Sequence, residues 1–186
     1  IIDRSAGLVQ EWIDLDQIIN LGSTAEPLPP VSPLTFERGK PVKIAVARDE
    51  SFSFYYRGTL EILETQGAEL QLFSPLLDNR LPENIDGLYL GGGFPEIFAG
   101  KLAANRGLLE DIGRRLKEGL PCYAECGGFM YLTEYITVKN GEKHSMVGFF
   151  DGHTIMTDRL QRFGYVEIEF TGENVLGKVG QKARGH

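Results

Sequence analysis

The sequence predicts an α/β fold, a mostly parallel sheet with helices on both faces. Three observations carry that prediction. From residue 42 onward, short apolar runs alternate with segments of helical period. Two of those runs end in glycine-rich turns, Gly91-Gly-Gly93 and Glu125-Cys-Gly-Gly128. A proline-dense stretch, Pro27-Leu-Pro-Pro-Val-Ser-Pro33, separates this region from a short N-terminal piece. Strands and helices alternating at this spacing imply crossover connections, and crossovers make parallel strands with helices laid over them.

The elements follow in order. Within residues 1–26, Glu11 to Asn20 places Trp12, Leu15, Ile18 and Ile19 at helical period. The proline stretch is then stiff and extended, which sets a boundary between residues 1–35 and 36–186. Val42–Ala47 is a buried strand. Ser51 to Gln66 is a helix, capped by Ser51 or Ser53 and stopped by Gly67. Ala68–Phe73 and Asp86–Leu90 are strands, and Pro95–Asn105 and Leu108–Lys117 are helical. Leu120–Ala124 is a fourth strand, and the helix after Cys126 runs to about Tyr135. Beyond Lys139, Met146–Phe150, His153–Met156 and Gly164–Phe170 read as strands, the last alternating and half exposed.

Composition excludes several functions. The net charge is −7, and the densest basic cluster, Arg114-Arg115-Leu-Lys117, sits among Glu110, Asp111 and Glu118. That is a solvated helix face, so no nucleic-acid partner is expected. No apolar run approaches the roughly 18 residues of a membrane span, and no membrane partner is expected. The start, Ile-Ile-Asp-Arg-Ser, lacks a signal peptide. The only cysteines are Cys122 and Cys126, which points to a reducing cytoplasm and no disulfide. Their C-x3-C spacing suits neither a redox pair nor a zinc site, so no metal is expected. Glu96 stands where a dinucleotide fingerprint has its last glycine, and no phosphate-binding G-x-x-x-x-G-K-[ST] occurs. The chain itself is therefore expected to bind neither ATP nor another cofactor.

The chemistry concentrates at Cys126. A thiol on a sharp strand-to-helix turn is lifted out of the backbone, and a helix N-terminus favours thiolate. The alternative is a small buried thiol at a strand end; Gly127 and Gly128, which allow a tight turn and a close substrate carbonyl, favour the nucleophile. Cys122, inside the apolar strand, reads as core. One N–H from Gly91–Gly93 together with that of Gly127 would make a two-donor oxyanion hole, whereas a plain turn is the alternative for the three glycines. Glu125 points away from the thiol and is expected to bond nearby backbone N–H groups. A cysteine nucleophile needs a histidine base, and the histidines are His144, His153 and His186.

Several stretches, in order, resemble one family: Asp49-Glu-Ser-Phe-Ser-Phe-Tyr-Tyr56, Asp86-Gly-Leu-Tyr-Leu-Gly-Gly-Gly-Phe-Pro-Glu96, Tyr123-Ala-Glu-Cys-Gly-Gly-Phe-Met-Tyr-Leu132, Met156-Thr-Asp-Arg-Leu-Gln161 with Gly164-Tyr165, and Arg184-Gly-His186. From about Pro41 on, the chain resembles the glutaminase domain of the cobyrinic acid a,c-diamide synthase family. That domain is a class I, triad-type glutamine amidotransferase of the cobalamin branch. The resemblance implies a flavodoxin-like fold with Cys126 as nucleophile, Gly93 (or Gly92) and Gly127 as oxyanion donors, and Gly92 and Glu96 as substrate-binding candidates. It further implies that residues 1–35 are the tail of a preceding synthetase domain plus a linker. Glutamine would be the substrate. Ammonia would pass to an ATP- and Mg²⁺-dependent synthetase domain that amidates the a- and c-carboxylates of a corrinoid.

Two departures shape the expectation. No synthetase domain lies within these residues. The family's base histidine lies beyond the motif that Arg184-Gly-His186 matches, and His144, His153 and His186 do not match it. The domain is therefore expected to be C-terminally incomplete, without its last strands, and impaired as a glutaminase by itself. The rival readings are the same domain of a nickel-sirohydrochlorin amidotransferase and a non-catalytic module that docks a synthetase.

Overall fold

The structure is a computed structural model that describes residues 1–28, 40–159, 161 and 164–186. Most of the proline stretch, and Leu160 within the Met156–Gln161 motif, lie outside the described residues. The chain divides into two compact units, Ile1–Thr35 and Phe36–His186.

The first unit holds two helices, α1 (Ile2–Trp12) and α2 (Leu15–Ser23). The helical period across Glu11–Asn20 is thus interrupted: Ile13 is extended, and the Asp14 carboxylate caps α2 by accepting from the Gln17 N–H at 2.9 Å. Neither helix buries a residue.

The second unit is built on a four-stranded parallel sheet of β1 (Val42–Ala47), β2 (Ala68–Phe73), β3 (Gly87–Leu90) and β4 (Cys122–Ala124), in the order β2-β1-β3-β4. These are the first four places of the flavodoxin-like order. Alternation along the strands gives the sheet two apolar faces. On one face Ala45, Ala47, Leu88 and Leu90 join the core with Leu102 of α4 (Ala99–Ala104), Leu108, Leu109, Ile112 and Leu116 of α5 (Arg106–Lys117), and Tyr131 and Leu132 of α6 (Gly127–Leu132). On the other, Ile44, Tyr89 and Tyr123 share a groove with Thr59 and Leu63 of α3 (Arg57–Thr65). Helices therefore lie on both faces. The basic cluster of α5 is neutralised locally, with Arg114 on Asp111 at 2.6 Å and on Glu118 at 2.7 Å, and Arg115 on Asp111 at 3.3 Å.

Three expected elements differ. The helix after β1 begins at Arg57, not Ser51, because the Asp49 carboxylate captures the Ser51 and Phe52 N–H groups and holds 49–52 in a turn. The helix after Cys126 stops at Leu132; the β-branched Thr133, Ile136 and Thr137 form β5 (Thr133–Thr137) instead. Met146–Phe150 is not a strand, since Gly148 has φ +66 and breaks the extended path. The strands there are β6 (Lys143–Ser145), antiparallel to β5, and β7 (Phe150–Ile155), parallel to it. A separate ribbon pairs β8 (Val166–Glu169) with β9 (Lys182–Gly185), and β8 is exposed along its whole length rather than on one face. No helix among the described residues is long and apolar enough to cross a membrane.

Candidate active site

β3 and β4 are neighbours, paired in parallel through Leu88↔Cys122, Tyr89↔Tyr123 and Leu90↔Ala124. Their C-terminal turns, the two glycine-rich sequences, consequently meet. The Gly128 N–H donates to the Gly91 carbonyl at 3.0 Å and to the Glu125 carbonyl at 2.8 Å. A Cβ on Gly127 would lie 3.0 Å from the Gly93 oxygen, 3.1 Å from its nitrogen and 2.8 Å from Pro95 Cδ. Only glycine allows this approach.

Cys126 sits at the apex with φ +50 and ψ −115, a backbone conformation that a side-chain-bearing residue rarely adopts. Its thiol is exposed. The anticipated helix beyond it is a six-residue helix, so first-turn N–H groups, not a long dipole, shape its surroundings. Cys122 behaves as read: it packs against the core, and burial pushes its thiol up to about 12.

The Gly91–Gly93 turn is fixed by the segment that follows β1. The Gly91 N–H donates to Tyr55 Oη at 2.9 Å, and the Tyr55 hydroxyl donates to the Ala47 carbonyl. The Phe54 N–H donates to the Gly92 carbonyl at 3.0 Å, and the Phe94 N–H to the Ser51 carbonyl at 2.9 Å. Among the described residues, neither the Gly93 nor the Gly127 N–H has a protein acceptor. Gly92 is buried and bridged to Phe54, its carbonyl accepting from the Phe54 N–H, and Gly93 is half-buried. Glu96 is half-buried just beyond Pro95.

Glu125 does not bond backbone N–H groups as expected. Its carboxylate accepts from Tyr89 Oη at 2.7 Å and from Tyr123 Oη at 3.0 Å. The rings of Tyr55, Tyr89 and Tyr123 follow one another at 5.2 Å. Burial first, and the Glu125 carboxylate next, raise the Tyr89 phenol well above its usual range. Burial, with the Glu125 charge behind it, takes Tyr123 to about 12, and Tyr55 also reaches about 12, chiefly by burial.

Each histidine has other neighbours. His144, in β6, faces Glu142 at 3.6 Å and lies close to Gly100 of α4. His153, in β7, stacks on Tyr135 at 4.7 Å, and the His186 ring lies 6.2 Å from that of Tyr165. Sequence reasoning gave Asp49 no role, yet it accepts five hydrogen bonds at the end of β1. The signal that could have found it is an Asp followed two residues later by Ser, directly after a buried strand, the pattern of a side-chain-closed turn.

A doubly covered parallel sheet, with an exposed thiol on a strained turn beside two unengaged N–H groups, is consistent with a glutamine-amidotransferase type of domain. The chain belongs to the CobB/CobQ-like glutamine amidotransferase domain family, whose model matches residues 43–186. More particularly, it is similar to cobyrinate a,c-diamide synthases. It is 47% identical to that of Caldanaerobacter subterraneus subsp. tengcongensis over all of this chain and 41% of the relative. It is 43% identical to that of Dehalococcoides mccartyi with the same coverage. The identity to that of Clostridium tetani is 50%, over 79% of this chain and 33% of the relative. The chain thus spans about two fifths of the length of such relatives.

Proposed function

We propose that this domain hydrolyses glutamine through a thioester on Cys126 and supplies ammonia for amidation of the a- and c-carboxylates of cobyrinic acid. One observation carries the reading: an exposed thiol held at positive φ, with the unengaged N–H groups of Gly93 and Gly127 beside it. The thiolate attacks the carboxamide carbon, forming a C–S bond and a tetrahedral oxyanion that the two N–H groups stabilise. Collapse breaks the C–N bond, and the leaving nitrogen takes up a proton and departs as ammonia. Water then cleaves the thioester to glutamate and free thiol. Gly92 and Glu96 are the candidates for contacting substrate.

We assign the histidine base, and the ATP- and Mg²⁺-dependent step, to the part of the relatives' length that this chain does not span. The engagement of His144 and His153 elsewhere in the fold supports that assignment. So does the roughly 41% coverage of the cobyrinate a,c-diamide synthases.

The test is glutamate release from glutamine by a chain extended to the relatives' length. Wild type and Cys122→Ala should turn over, whereas Cys126→Ala should be inactive and folded. Retained turnover in Cys126→Ala, or a folded but inactive Cys122→Ala, would overturn the assignment.

A further inference from the structure

We propose that Asp49 is a positioning residue that sets the Gly93 oxyanion donor through the turn it closes. This rests on the glutaminase reading of Cys126 and adds a residue to it.

Asp49 stands at the C-terminal end of β1 and touches neither the thiol nor the glycine turn. Its Oδ1 accepts from the Ser51 N–H at 2.8 Å, the Ser51 hydroxyl at 2.6 Å and the Phe52 N–H at 3.2 Å. Its Oδ2 accepts from the Ser74 hydroxyl at 2.7 Å and the Leu76 N–H at 2.9 Å. Every partner is donating, so the acceptor-only carboxylate fits, and an amide would turn its NH₂ toward at least one N–H.

The turn that Asp49 closes forms one wall of the candidate oxyanion hole. The Ser51 carbonyl, fully buried with its residue, accepts from the Phe94 N–H at 2.9 Å. Gly93 lies so close that a Cβ there would overlap the Ser51 carbonyl oxygen and sit 2.8 Å from Phe52 Cα. The peptide that presents the Gly93 N–H is therefore seated on the Ser51–Phe52 backbone. Phe52 reaches the opposite wall too, its ring 5.3 Å from that of Tyr131 in α6, the helix that begins at Gly127. One carboxylate thus references both donors to the end of β1. The Ser74 and Leu76 side of the carboxylate anchors it to the loop after β2 and leads to neither donor.

That asymmetry provides the test. Ser51 and Ser74 each give Asp49 one hydroxyl bond of nearly equal length, and Ser74 Oγ also accepts from the Leu77 N–H at 3.2 Å, so a purely structural carboxylate would make Ser74→Ala at least as damaging as Ser51→Ala. The readout is the ratio of Cys126 alkylation rates by 6-diazo-5-oxo-L-norleucine, whose carbonyl needs the donors, and by iodoacetamide, which needs only the thiol. Asp49→Asn should lower that ratio about ten-fold, short of the ~10²–10³ that complete loss of an oxyanion donor costs. Ser51→Ala should lower it about three-fold and Ser74→Ala should leave it within experimental scatter, although Ser74→Ala loses at least as much melting temperature. If Asp49→Asn does not fold, the serine pair decides. Equal ratios in the two serine variants, or an unchanged ratio in folded Asp49→Asn, would overturn the positioning role while the glutaminase reading stood. A wild-type chain extended to the relatives' length that the diazoketone leaves unlabelled would instead strike at the glutaminase reading itself.

Discussion

Replacing Gly128 by alanine should be far more damaging than replacing Gly127, though the two are adjacent and both buried. A Cβ on Gly128 overlaps the Leu90 carbonyl oxygen and stands 2.6 Å from its carbon and 2.7 Å from Leu90 Cβ. Carbon pairs settle at roughly 3.5–4.0 Å, so the methyl intrudes by about 1 Å against rigid strand backbone. Relief requires lifting the start of α6 off β3, which breaks the 3.0 Å bond from the Gly128 N–H to the Gly91 carbonyl. Overpacking costs about 1–3 kcal/mol, and with a buried hydrogen bond lost the upper end applies, ~3 kcal/mol or slightly more. For a domain of this size that is a fall in melting temperature of roughly 6–12 °C. A Cβ on Gly127 would stand 2.8 Å from Pro95 Cδ, so the proline ring must shift, but its approaches to backbone atoms, at 3.0 and 3.1 Å, are looser than those at Gly128. About 1 kcal/mol and a fall of roughly 2–4 °C follow. The cost of Gly127→Ala appears in chemistry, because the methyl separates the Gly93 and Gly127 donors. Differential scanning fluorimetry of the two variants, beside Cys126 alkylation by a glutamine-derived electrophile, measures both. A Gly128→Ala protein that melts like wild type would refute the packing argument. So would a Gly127→Ala protein that loses more stability than Gly128→Ala.

Three other outcomes follow from the same contacts. Tyr55 and Tyr123 hold their protons to about 12 in the fold against 10.0 for a free phenol. A raised folded pKa contributes stability that is fully present below the unfolded value and lost as pH rises through the folded one. Melting temperature should therefore decline between about pH 10 and 12, tracked against tyrosinate absorbance; a flat profile there would contradict the burial of these phenols. Glu125→Gln removes the charge that both Tyr89 and Tyr123 donate to, so their ionisation should move to lower pH, with a stability loss of about 1–2 kcal/mol; unchanged tyrosine titration would sink this reading. Iodoacetamide at about pH 8 should modify Cys126 and spare Cys122 in the native chain, with both modified after denaturation; equal native rates would place the Cys122 thiol outside the core.

The sheet was legible because the C-terminal halves of β1 and β3 are buried and largely apolar, with glycine turns marking where β3 and β4 end. Cys126 with Gly127 and Gly128 was legible for a related reason: a thiol between a strand and a pair of glycines has few conformations open to it. What escaped depended on distant partners. Ser51–Tyr56 has helix-compatible residues, and only the Asp49 carboxylate and the Gly91–Phe94 backbone, some 40 residues on in the chain, hold it out of a helix. Asp49 itself is tied to Ser74 and Leu76 across 25 and 27 positions, separations that no periodicity reveals. Leu132 and Ile136 stand at a spacing suited to a helix as well as a strand, so the short span of α6 turned on β-branched residues that pattern alone underweights. Glu125 was expected to bond backbone N–H groups, but its partners are tyrosines on β3 and β4, and strand register is not readable from one sequence.

The most direct test of the central claim is mass-spectrometric mapping of the native chain after exposure to an electrophilic glutamine analogue, with and without excess glutamine. The account predicts adduct on Cys126, none on Cys122, and protection by glutamine. Reaction with iodoacetamide but not with the analogue would contradict it, leaving an exposed thiol without a glutamine site.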